Sequence, residues 1–88
     1  MGNFKNLEVY ENSKKLAVDI IKLIEKLPNK FWLKDQISRS AFSIPSNIAE
    51  AEGRSTNKHG NQFLFFALGS SFELLTQLDI ISEIAHEE

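Results

Sequence analysis

The residues best suited to chemistry lie in one stretch, Gln36 to Arg54, reading QISRSAFSIPSNIAEAEGR. At about 100° per residue, Gln36, Arg39, Ser43, Asn47, Glu50 and Arg54 fall on one helical stripe. Two guanidinium groups with a hydroxyl and a carboxamide between them are donors that a phosphate backbone accepts. Lys30, Lys34 and Lys58 flank the stripe as further candidate cations. The same residue types also make a closed polar network. Glu50 stands one turn from Arg54, and Asn47 and Ser43 are placed to bond carbonyls left without a donor by Pro45. The acid within the row tells against a phosphate track. The network, in the core or at a subunit interface, is therefore the preferred reading and nucleic-acid contact the alternative.

Other chemistries are less well served. His59 and His86 are expected in a loop and at the tail, with no HxxxH spacing and no cysteine, so no metal site is expected. Glu50 and Glu52 lie about 200° apart on a helix and cannot work as a carboxylate pair. No GxSxG elbow surrounds a serine, and the glycines form no phosphate-cradling loop. Neither an enzyme nor a bound cofactor is expected.

Three helices position these residues. Leu7, Tyr10, Leu16, Ala17, Ile20, Ile21, Ile24 and Leu27 recur at helical spacing and predict a helix over about 7–27, capped by Asn6 and stopped by Pro28 and Asn29. Its other face, Glu11, Lys15, Asp19, Lys22 and Lys26, reads as an ion-paired solvated surface rather than an RNA track. Phe31, Trp32 and Leu33 are expected to plug one end of the core.

The second helix is predicted over about 34–52. Leu33, Ile37, Ala41, Ile44, Ile48 and Ala51 share its apolar face, and Phe42, Pro45 and Ala49 lie on a third side. Pro45 removes a donor and disfavours helical angles at Ile44. A kinked but continuous helix is preferred, because the apolar stripe keeps phase across the proline. The alternative is a break, with Asn47 to Glu50 as a new capping box.

Gly53 is the expected C-cap, and Asn57, with Ser55 second, the next N-cap. The third helix covers about 58–86. Leu64, Ala67, Ser71, Leu74, Leu78, Ile81 and Ala85 make its stripe, widened by Phe63, Phe66, Ser70 and Ile84. Gly69 in mid-helix implies close packing against a neighbour. No strand signal occurs. The expected fold is all-α, an antiparallel up-down bundle of three helices, with a groove for a fourth from this chain or another subunit.

The chain is one domain, 1–88, and small enough that oligomerisation is a common source of stability. No signal-peptide run is present and no apolar segment is long enough to span a bilayer, so a cytoplasmic protein without a membrane partner is expected. The net charge of −2 is unevenly spread. Residues 1–58 hold all ten Lys and Arg against seven acids, whereas residues 59–88 hold five acids and no Lys or Arg. That asymmetry draws an anionic partner to the first part, or one subunit's acidic end to another's basic half.

The 36–54 stretch resembles the signature of the four-helix-bundle proteins encoded in intervening sequences of bacterial 23S ribosomal RNA genes. The family pattern Gln-Ile-x-Arg-Ala, then Ser-Ile-Pro-x-Asn-Ile-Ala-Glu-Gly, is met by Gln36, Ile37, Arg39, Ser43, Ile44, Pro45, Asn47, Ile48, Ala49 and Glu50. Its later Phe-Leu-x-x-Ala-x-Gly-Ser and following Glu are met by Phe63, Leu64, Ala67, Gly69, Ser70 and Glu73. Ser40 replaces the usual alanine, Ala51 and Glu52 separate Glu50 from the glycine, and the sequence ends where a fourth helix would follow. The resemblance implies a helical bundle assembled into a homo-oligomer, a pentameric ring in relatives, with no defined activity. A similar fold serves as the accessory protein of diversity-generating retroelements, where a basic ring binds nucleic acid.

Overall fold

The structure, a computed structural model, describes residues 4–27, 31–54 and 57–87. Three helices follow in order: α1, Phe4–Glu25; α2, Phe31–Gly53; and α3, Asn57–Glu87. No strand occurs among the described residues. α1 begins before Asn6, which therefore sits inside the first turn and is not the cap. It ends in a turn in which the Leu27 amide donates to the Ile24 carbonyl at 3.1 Å. The expected stop at Pro28 and Asn29, the cation Lys30 and the alternative cap Ser55 lie outside the described residues.

α2 runs unbroken through Pro45. The reason is packing on both sides: Ala41, Ile44, Pro45 and Ile48 are all buried, so tertiary contact outweighs the proline's local penalty of about 3 kcal/mol. Gly53 ends α2 without the left-handed backbone of a C-cap glycine. The Arg54 amide instead donates to the Ala51 carbonyl at 3.4 Å. Of the expected end plug, Leu33 is in the core, whereas Trp32 is exposed.

The core consists of Ala17, Ile20 and Ile24 from α1, Leu33 to Ile48 positions of α2, and Ala67, Leu74 and Ile81 from α3. Burial on the outer helices follows steps of three and four. On α1 and the turn after it the sheltered positions are Tyr10, Ser13, Ala17, Ile20, Ile21, Ile24 and Leu27; on α3 they are Gly60, Phe63, Ala67, Ser70, Ser71, Leu74, Gln77, Leu78, Ile81 and Ile84. A buried residue recurs every seven, Ala17 and Ile24 on α1 and Gly60, Ala67, Leu74 and Ile81 on α3, a heptad seam of coiled-coil-like packing flanked by half-buried Ile21, Ser71 and Leu78. Leu7, Leu16, Leu64 and Phe66, assigned to the core stripes, consequently stand exposed, while Ser13, Ser70 and Gln77 lie on the seams.

α2 is the shared member. Both α1 and α3 pack on it, and among the described residues no Cα of α1 comes within 8 Å of one in α3. The result is a rod of 48 × 19 × 16 Å. Two glycines of α3 behave differently. A Cβ on buried Gly60 would meet the Ala51 carbonyl oxygen at 3.3 Å, so this glycine allows α3 to approach α2. Gly69 has open space around it, so the close neighbour expected there is not found among the described residues.

One expectation about α3 is corrected outright. Its Lys58–His86 stretch is both long and apolar enough to cross a membrane, with a mean hydropathy of 1.4 over its most apolar window. The expectation considered unbroken apolar runs, but serines and a threonine interrupt α3 without adding charge.

Candidate functional site

α2 carries the polar stripe, and packing divides it into a sheltered middle and two exposed ends. In the middle, the Ser43 hydroxyl lies 2.8 Å from that of Ser70 on α3, both oxygens being able to donate or accept. The Asn47 amide donates to the Ser43 hydroxyl at 2.9 Å and to the Ser43 carbonyl at 2.8 Å. Ser70 is buried, and Ser43 and Asn47 are half-buried. Three polar side chains thus satisfy one another across the α2–α3 seam, as sheltered polar groups must.

The carbonyls bonded are not the expected one. A serine or asparagine on a helix reaches the carbonyl four residues back. Four residues after Ala41, whose carbonyl loses its donor, stands Pro45 itself. Ser46 accordingly bonds the Phe42 carbonyl at 2.9 Å, and Asn47 that of Ser43.

At the ends, each guanidinium holds an acid one turn back. Arg54 donates from Nη2 to Glu50 Oε2 at 2.8 Å, the pair expected from the sequence. It also lies over the Phe63 ring of α3, 4.5 Å from the centroid. A cation over an aromatic face adds an attraction of about 0.5–1 kcal/mol at exposed sites. Arg39 donates from Nε to Asp35 Oδ2 at 3.0 Å, with its side chain 80% exposed. Asp35, Phe63 and Ser70 also belong to the site, beyond the residues expected there. The i, i+4 spacing of Asp35 and Arg39 was a readable signal; the other two depend on how α3 is set against α2.

The flanking lysines do not join the row. Lys34 lies about 140° around the helix from Arg39 by helical geometry, and is half-buried. Lys58 is exposed in the first turn of α3. On α1, Lys14 pairs with Glu11 at 3.2 Å and lies 5.4 Å from the centre of the Tyr10 ring. Glu83 and His86 share a metal-type i, i+3 spacing on α3, so the sequence does hold one such pair. Among the described residues, however, no three His, Asp or Glu side chains converge on a common point.

The arrangement can tie two helices together and present a guanidinium at each end. Residues 5–87, nearly the whole chain, match a family model described as 23S rRNA-intervening sequence protein. No curated protein and no solved structure matches the chain.

Proposed function

The chain belongs to the 23S rRNA-intervening sequence protein family, and from that premise we propose that it is a non-enzymatic assembly protein, a helical bundle that works as a cytoplasmic homo-oligomer. The observation carrying this reading is a groove between α1 and α3. Val9 and Leu16 form one wall, Leu64 and Leu68 the other, and the buried Ile44 and Ile48 the floor, enclosing about 440 Å³. Exposed Leu23 and Leu75, each seven residues further along, extend the walls in heptad register. A fourth helix, from a continuation of this chain or from another subunit, fits this trough and completes a four-helix bundle. The antiparallel up-down course is supported by the pairing of Ala51 with Gly60 and of Ser43 with Ser70. A pentameric ring is what the family resemblance adds.

Light scattering of the folded protein tests the assembly. A mass several times the 10.0 kDa of one chain supports the reading. A folded 10.0 kDa particle at high micromolar concentration rejects it.

The second reading is a nucleic-acid-binding accessory that contacts RNA or DNA phosphates. It is favoured by the exposure of Arg39 and the positive excess of residues 1–58. A ring multiplies a weak patch by avidity. Fluorescence anisotropy across a salt series decides: binding that weakens steeply with salt supports phosphate contact, and no binding at low salt excludes it.

A further inference from the structure

No further inference is drawn: the strongest candidate, the apolar furrow between α1 and α2 lined by Val18, Ile21, Phe42 and Pro45, carries nothing because nothing in the structure shows what covers it, Lys14 and Arg39 beside it being already ion-paired with Glu11 and Asp35 of their own helices.

Discussion

The Ser43 hydroxyl meets the Ser70 hydroxyl at 2.8 Å across the seam between α2 and α3, and the Asn47 amide closes the cluster. These groups join residues 27 positions apart in the chain and set the register of the longest helix.

Ser70→Ala is expected to destabilise the fold by about 1 kcal/mol, since it removes the partner of the half-buried Ser43 hydroxyl across the seam. Ser43→Ala has a similar effect, and the double variant loses less than the sum. Urea denaturation of the two single variants and the double variant gives the coupling. Strict additivity would mean that the hydroxyls do not interact.

The two α3 glycines are expected to respond oppositely to alanine. Gly69→Ala adds a methyl in open space and raises the stability of the chain's own helix by about 1 kcal/mol. Gly60→Ala brings a methyl to 3.3 Å from the Ala51 carbonyl, and the strain offsets or exceeds the same propensity gain. Denaturant midpoints at low protein concentration compare them, and the midpoint of Gly69→Ala lies above that of Gly60→Ala.

Pro45→Ala restores a donor to the Ala41 carbonyl and removes a ring from a buried site. A helix-interior proline costs about 3 kcal/mol, and losing the ring's burial returns part of that. The expected outcome is a net stabilisation of about 1–2 kcal/mol, read from the unfolding midpoint. A marked loss would mean that the proline's packing dominates its backbone effect.

The two guanidinium groups are expected to separate by role. Arg54→Ala loses both the Glu50 pair and the Phe63 stacking, and weakens the fold by about 1 kcal/mol. Arg39→Ala, at a pair largely in water, changes stability by less than about 0.5 kcal/mol. Thermal melts in low and high salt distinguish them. If the assembly binds nucleic acid, Arg39→Ala lowers the salt slope of binding without altering native mass.

Much of this arrangement was legible in the residues because it is local. The face Leu33, Ile37, Ala41, Ile44 and Ile48 needed only the period of one helix, and so did the Glu50–Arg54 pair. The helix through Pro45 was legible because its apolar stripe keeps phase. What was not legible depends on how one helix is set against another. Ser70 looked like the edge of an apolar stripe and is the polar centre of the α2–α3 seam. Gly60 carries no packing signal of its own in the sequence, yet it is where α3 comes against the Ala51 carbonyl of α2. Leu16 and Leu64 looked like core because they are leucines, yet a heptad seam turns them toward the groove.

The separation of α1 from α3 has a consequence for how the molecule forms and opens. Each outer helix docks on α2 alone, so nearly every stabilising contact links neighbours in the chain. Little loop entropy has to be lost before such contacts form, and helical proteins of this kind fold within microseconds to milliseconds. Either outer helix can also lift away while the other stays seated, which makes them separate cooperative units. Amide hydrogen exchange should then find two opening events of different free energy, with α2 protected in both.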